Sequence, residues 1–279
     1  MRKTLCAVSA CALLLYSCTG NRVPPTGDTA ADSLESTDGL TVADTLEQIV
    51  DDTPMPKAAD ELFDDFFFNF VANKRLQLER VAFPLPVSRG NKVEQVSKKQ
   101  WKMDRFFMRQ GYYTLMFNSD RQMALMKDTA VSHAIVEKIM LDKGTVRDYV
   151  FNRMRGVWML REIRETAVDT NANGSFLKFY NRFVTDSAFQ VASLNQTVTF
   201  VGPDPDDDFN MMEGMITPDT WGAFAPTLPS GMIYNIVYGA PEEEGRQKIF
   251  ILRGISNGLE VELRFKKVGG RWLLMKLTT

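Results

Sequence analysis

The chain is almost without cysteine and histidine. Its 279 residues hold three Cys and one His, and Cys6, Cys11 and Cys18 all fall near the N-terminus. Beyond Cys18 there is no thiol for a disulfide, a thiolate nucleophile or a cysteine–metal site. His133 has no second His and no nearby Cys to share a metal ion with, so no zinc-type centre is expected. No GxSxG elbow occurs, which removes the commonest serine-hydrolase signature. Basic residues are dispersed instead of forming a stripe interleaved with aromatics, so nucleic acid is not an expected partner. No cofactor is expected either.

What is present begins with a leader. Arg2 and Lys3 precede an uncharged run from Thr4 to Tyr16, too short to anchor in a bilayer and shaped like a secretory signal. Leu15-Tyr16-Ser17-Cys18 resembles the lipobox of bacterial lipoproteins, with Tyr16 bulkier than usual there. The resemblance implies a signal peptide over 1–17 and acylation of Cys18. Acyl chains at that residue would hold the protein on a membrane, each buried methylene contributing about 0.8 kcal/mol.

Residues 18–58 are rich in Thr, Asp, Ser, Ala and Pro and nearly devoid of aromatics, a composition that reads as a disordered tether. Charge is uneven along the chain. Residues 18–60 carry a net charge of −7, residues 61–165 carry +6, and residues 166–279 carry −3. Solvated surfaces account for this simply. The sharper reading is that the basic part faces an anionic ligand, membrane or partner, or the acidic tether.

The folded part says the same thing twice. Phe63, Phe66, Phe67, Phe70 and Val71 recur 113 residues later as Phe176, Phe179, Tyr180, Phe183 and Val184. Their spacing, i, i+3, i+4, i+7, i+8, is one face of a helix. Gln77 recurs as Gln190 by the same offset, and Trp101 and Gly111 recur as Trp221 and Gly231 at 120. Gly144, Phe151, Gly156, Trp158 and Leu160 recur as Gly258, Phe265, Gly270, Trp272 and Leu274 at 114. Two units of this length predict a duplication into two tandem domains, 59–166 and 167–279.

Each unit reads as an aromatic-faced helix, a short second helix, a strand pair, a turn carrying the Trp, then four strands. Asp142-Lys143-Gly144, Arg155-Gly156, Ser256-Asn257-Gly258 and Gly269-Gly270 are hairpin signals, so the sheet is expected to be antiparallel with consecutive strands as neighbours. Helices followed by a meander give an α+β class. The layout resembles the nuclear transport factor two-like, cone-shaped fold of ketosteroid isomerases, dehydratases and many binding modules. Lipobox, acidic tether, "FxxFFxxFV", the Gln of the second helix and a terminal "GxWxL" strand together resemble an uncharacterised family of Bacteroidetes lipoproteins with that fold. That resemblance implies a fold and a location, an outer-membrane lipoprotein facing the periplasm, but no activity.

Candidate sites are few. His133 matches Gln247 at the 114 offset, which argues against catalysis by that residue. Asp204, Asp206 and Asp208 imitate the start of a calcium loop, but Phe209 and Met215 stand where Gly and Glu are needed, so a solvated turn is the better account. Glu242-Glu243-Glu244 reads the same way. Phe66, Phe70, Trp101, Trp158, Phe179, Phe183, Trp221 and Trp272 either form two cores or floor a cavity in each cone. Tyr112, Tyr113, Tyr180 and Tyr234 are the polar groups expected to border such a pocket, together with Tyr238. An isomerase or dehydratase would need a carboxylate base with a phenol donor. Asp104 and Asp148 are the candidates, with Phe224 and Glu262 at the matching positions of the second unit. The leading expectation is a membrane-anchored, non-catalytic module for a small apolar or amphipathic ligand or a protein partner of the cell envelope. The rivals are an isomerase or dehydratase, and a structural or docking protein.

Overall fold

The structure is a computed structural model, and it describes residues 55–279 apart from Pro205. The leader, Cys18 and nearly all of the tether therefore lie outside the described residues. Helix α1 (Phe63–Ala72) buries Phe63, Phe66, Phe67, Phe70 and Val71, the apolar stripe read from the spacing, while Asp64 and Asp65 sit at its positive end. Asn73 ends α1 and starts α2 (Lys74–Arg80), its Oδ1 accepting from the Leu76 amide at 2.8 Å. Asp186 does the same between α4 (Gly174–Thr185) and α5 (Ser187–Ala192), accepting from the Phe189 amide at 2.9 Å. A single helical turn, α3 (Asp120–Met123), lies between the two pairs. One capping residue thus sets the same bend in both units.

Twelve strands form one sheet: β1 (Leu85–Arg89), β2 (Lys92–Val96), β3 (Tyr112–Phe117), β4 (His133–Met140), β5 (Thr145–Met154), β6 (Val157–Ala167), β7 (Leu194–Asp204), β8 (Asp207–Ile216), β9 (Met232–Tyr238), β10 (Gln247–Gly254), β11 (Glu260–Val268) and β12 (Arg271–Thr278). Their order is β2-β1-β6-β5-β4-β9-β3-β10-β11-β12-β7-β8. This corrects the expectation of an antiparallel meander with consecutive strands adjacent. β3 is not beside β4 but pairs with β10, and β9 is not beside β10 but pairs with β4 from Ala134↔Tyr238 to Met140↔Met232. The pairs β1–β6, β7–β12 and β3–β9 are parallel. Each unit has lent the strand after its Trp turn to the other.

Connection length explains where the expectation held and where it failed. β4–β5–β6 and β10–β11–β12 are joined by the short turns seen in the sequence, and their antiparallel registers follow. Fifteen residues separate β3 from β4 and eight separate β9 from β10. Such links do not fix a neighbour, because closing a longer loop adds little entropic cost.

The exchange makes β4, β9, β3 and β10 a wall buried on both sides. On one side Ala134, Val136, Tyr234, Ile236, Tyr238, Tyr113, Leu115, Phe117, Ile249 and Ile251 pack in the core that holds the α1 phenylalanines. On the other, Ile139, Ile233, Met116, Phe250 and Leu252 pack with Phe176, Leu177, Tyr180 and Phe183 of α4. The lent strands are also tied by polar bonds. Tyr238 Oη donates to Asp64 of α1 at 2.5 Å, and Thr114 Oγ1 donates to the Tyr234 carbonyl at 3.0 Å.

Because β9 fills the first core while belonging to the second unit, damage to it should be felt throughout. Ile236→Ala, which deletes a fully buried side chain, is expected to cost on the order of 2–5 kcal/mol. Calorimetry should still show a single transition at a lower temperature. Two transitions, one of them unmoved, would mean that the units unfold separately.

Candidate functional site

A glutamine latch positions the candidate site. Gln77 of α2 is fully buried. Its Nε2 donates to the carbonyls of Phe70 (3.0 Å) and Asp104 (2.7 Å). Its Oε1 accepts from Trp101 Nε1 (3.3 Å) and from the Asp104 amide (3.1 Å). All four hydrogen-bonding positions of the amide are used, so the segment from Trp101 to Asp104 is fixed against the core. The second unit keeps the pair, with Gln190 Oε1 accepting from Trp221 Nε1 at 2.9 Å.

Held there, Asp104 is engaged at both oxygens. Its Oδ1 accepts from the Phe106 amide and its Oδ2 from the Tyr149 hydroxyl, both at 2.8 Å. The first bond closes a turn that puts Phe106 at φ +45°, a left-handed conformation that costs a bulky residue about 1–3 kcal/mol. The Phe106 ring then meets Tyr149 edge-on, with centroids 4.6 Å apart. Burial, and next the Asp104 charge, push the Tyr149 phenol far above its usual range. Tyr234 is raised for the same two reasons. Both therefore stay protonated near neutral pH, and Tyr149 spends its proton on Asp104.

Beyond this turn a polar row crosses five strands on the sheet face that packs against α1. Tyr234 on β9 lies opposite Lys138 on β4, Lys138 opposite Arg147 on β5, Arg147 opposite Glu165 on β6, and Glu165 opposite Arg89 on β1. Glu165 bridges Arg89 (2.7 Å) and Arg147 (2.8 Å). Lys138 has no acid among the described residues. Its ammonium stands 5.6 Å over the Tyr234 ring, and its cross-strand neighbour is another cation. Like charges placed directly opposite destabilise a strand pair, by roughly 0.2–1 kcal/mol.

Two open clefts meet at Lys138. One, of about 430 Å³, lies between the row and the Lys102–Gln110 segment and is bordered by Lys102, Asp104, Arg105, Arg109 and Tyr234. The other, of about 650 Å³, runs over Arg89, Met140, Arg147 and Glu165. Together their walls carry six cationic side chains against two carboxylates.

None of this chemistry recurs. By the offset of 120 that maps Trp101 onto its copy, Asp104 corresponds to Phe224, and by the offset of 114 that maps Phe151 and Trp158 onto theirs, Lys138, Arg147 and Tyr149 correspond to Leu252, Val261 and Leu263. Tyr234 corresponds to Thr114, and Lys102, Arg105 and Arg109 to Gly222, Ala225 and Pro229. The repeat thus separates what builds the unit from what one copy alone carries. Lys138 and Arg147 were not singled out in the sequence reading. The signal that finds them is this loss of charge between matched positions.

The aromatic residues considered for a pocket are mostly core. Phe66, Phe70, Trp158, Tyr180, Phe183 and Trp221 are at most 1% exposed; Phe63, Phe66, Phe67 and Phe70 of α1 crowd Phe151, and the first two also meet Trp158. Tyr113 is buried, Tyr112 and Trp101 are half-buried, and Tyr180 Oη donates to the Pro229 carbonyl at 2.9 Å. Tyr234 borders the first cleft, while Phe179 and Trp272 border one of about 390 Å³ in the second unit. His133 Nδ1 lies 2.6 Å from Asn152 Oδ1. Asp204 Oδ1 accepts from the Asp206 amide at the β7–β8 turn. Glu244 is more than a turn residue: it takes the Ser175 hydroxyl and the Phe176 amide (2.8 Å) at the start of α4.

Asp148 and Glu262 do not join Asp104: strand alternation places Asp148 on the reverse face, and Glu262, opposite Ile251, stands on β11, with β9, β3 and β10 between it and the strand of Lys138. Glu262 is paired with Arg264 at 2.5 Å. Asp148 lies in a second cross-strand row, Thr114–Asn235–Glu137–Asp148–Arg164. Glu137 accepts from Asn171 Nδ2 (2.6 Å) and Asn235 Nδ2 (2.7 Å), and burial raises its pKa. Asp148 has one oxygen without a partner, and its nearest cation, Arg164, is 3.9 Å away. Burial first, then the Glu137 charge, push the Asp148 carboxyl up to about 7.

That shift sets a pH dependence. Between about pH 4 and pH 7 folded Asp148 keeps a proton that the unfolded chain has lost. Its stabilising contribution is therefore complete below the unfolded pKa and disappears as pH rises through 7. Asp148→Asn should melt several degrees above the wild type at about pH 8.5, with the advantage vanishing toward about pH 4. Parallel melting curves at every pH would show that Asp148 titrates normally.

Comparison with known proteins agrees with this architecture. A model of the family described as Domain of unknown function (DUF4348) matches residues 42–279. The chain is similar to an NTF2-like protein from Bacteroides fragilis whose crystal structure is known, with 40% sequence identity and a TM-score of 0.73 over 81% of this chain and 98% of that one. No curated protein matches the chain. With its α+β content, its single large sheet and its helix pairs on both faces, the chain has an NTF2-like fold and belongs to the DUF4348 family.

Proposed function

We propose that this chain is an envelope lipoprotein, acylated at Cys18 and held on the periplasmic side of the outer membrane, whose tandem NTF2-like units form a non-catalytic binding module. The first unit carries the ligand end at the clefts around Lys138. The second has become its structural partner. The observation that carries this reading is the asymmetry between matched positions, since the Gln–Trp latch is kept in both units while the charged groups and Tyr149 stand in the first alone.

Binding is favoured over isomerase or dehydratase chemistry by the state of the carboxylates. Both Asp104 oxygens accept hydrogen bonds from groups of the fold, and Glu165 is clamped by two arginines. Asp148 lies on the reverse face, and Glu262 stands on β11, away from the clefts and paired with Arg264. Both oxygens of each acid bordering the two clefts are already engaged by groups of the fold, which suits these acids to holding the site together more than to taking a proton from substrate.

Two measurements test this. The mature chain from membranes should carry acyl mass on Cys18, and Cys18→Ser should release it unacylated into the soluble envelope fraction. Native mass spectrometry of that soluble full-length variant should then show a small molecule that is lost on denaturation. An unmodified Cys18 would remove the anchor. A clean apo mass would turn the reading toward protein docking, and turnover of the bound molecule would restore the enzyme.

A further inference from the structure

The row Arg89–Glu165–Arg147–Lys138–Tyr234 alternates in sign until Lys138, where an acid is missing. Lys138 is half-buried, floors both clefts and faces Arg147. Two residues further along the same strands, on the same face, runs a second row: Met232 opposite Met140, Met140 opposite Thr145, and Thr145 opposite Ala167. Two residues of strand are about 7 Å. A cationic row and a largely apolar row thus lie side by side, roughly the separation between a charged head and the first few methylenes of a chain.

We propose that this face binds an amphipathic anion, with a carboxylate or phosphate head against Lys138 and Arg147 and an apolar arm along Met140 and Met232. The inference rests on the binding-module reading and names its ligand class. An anion at Lys138 completes the alternation and relieves the repulsion between the two cations. Tyr234, held protonated, offers a phenolic donor beside the head. Lys102, Arg105 and Arg109 ring the cleft entrance and would draw an anion in, an attraction that salt weakens. The second unit, with Leu252 and Val261 at the positions of Lys138 and Arg147, takes no such ligand.

The test uses the soluble full-length Cys18→Ser chain, with decanoate, decyl phosphate and decan-1-ol as probes below their aggregation concentrations and at constant ionic strength. Calorimetric titration should show saturable binding of at least one of the two anions and none of the alcohol. The tighter of the two identifies the head group. Lys138→Met should weaken that binding about tenfold or more, Lys138→Arg should retain it, and Lys143→Gln, in the β4–β5 turn, should leave it unchanged. Lys138→Met should also melt at or slightly above the wild-type temperature without ligand, which shows that lost binding is not lost folding. Binding that survives Lys138→Met, or equal binding of the alcohol, overturns the site. Absence of any binding overturns the ligand class. If native mass spectrometry meanwhile finds a neutral molecule, the module stands and only this inference falls.

Discussion

Everything in this molecule depends on the exchange of β3 and β9. A strand lent to the other half must satisfy two cores, because the wall it joins has helices on both sides. That requirement explains the sequence of these strands better than propensity does. Tyr113, Leu115 and Phe117 serve one core while Met116 serves the other, and Ile236 and Ile233 divide the same way. Residues are apolar in runs, as in strands covered on both faces, and not alternating as in a half-exposed sheet.

A wall without water also sets conditions for polar groups. Thr114, Asn235, Glu137 and Lys248 are all buried in it. Most of their polar atoms are partnered: Glu137 by two asparagine amides, Lys248 by Asn118 and Asn173 Oδ1 at 2.5 Å, and Thr114 by a carbonyl of the neighbouring lent strand, while Asn235 donates to Glu137 but leaves its Oδ1 without a partner. Burial lowers the Lys248 pKa to about 8, against the opposing pull of nearby glutamates. These bonds reach from one half of the chain to the other. They reward one register of the central strands over a slip by two residues, which would keep the apolar faces but leave a carboxylate unpaired.

How much of this could be read from the sequence follows from how local each signal is. The stripe Phe63, Phe66, Phe67, Phe70, Val71 and the turns at Gly144 and Arg155-Gly156 are encoded within a few residues, and the helix and hairpins follow from them. The Gln77–Trp101 contact was suggested only by its recurrence as Gln190 and Trp221. The strand exchange left no local trace, since long links carry no instruction about which neighbour a strand should choose. The polar row was hidden for a related reason: Arg89, Lys138, Arg147, Glu165 and Tyr234 are scattered through the chain and become a row only through strand register. Asp148 could be named as an unusual acid, but which face it occupies depends on the bulge between Val150 and Phe151 and on what covers it.

The lent strand also bears on how such a chain can change with time. The second unit shows no copy of the charged row and looks dispensable when only its surface chemistry is considered. Yet Tyr234, Ile236 and Tyr238 belong to it, and they wall the core beneath the first unit's clefts. A deletion that removed the second unit would take that wall away, and one that removed the first would strip Met116 from the remaining core. Neither half of the sheet can be removed without opening the core of the other, because each contributes a short strand to both. The loops and matched surface positions are left free to drift apart.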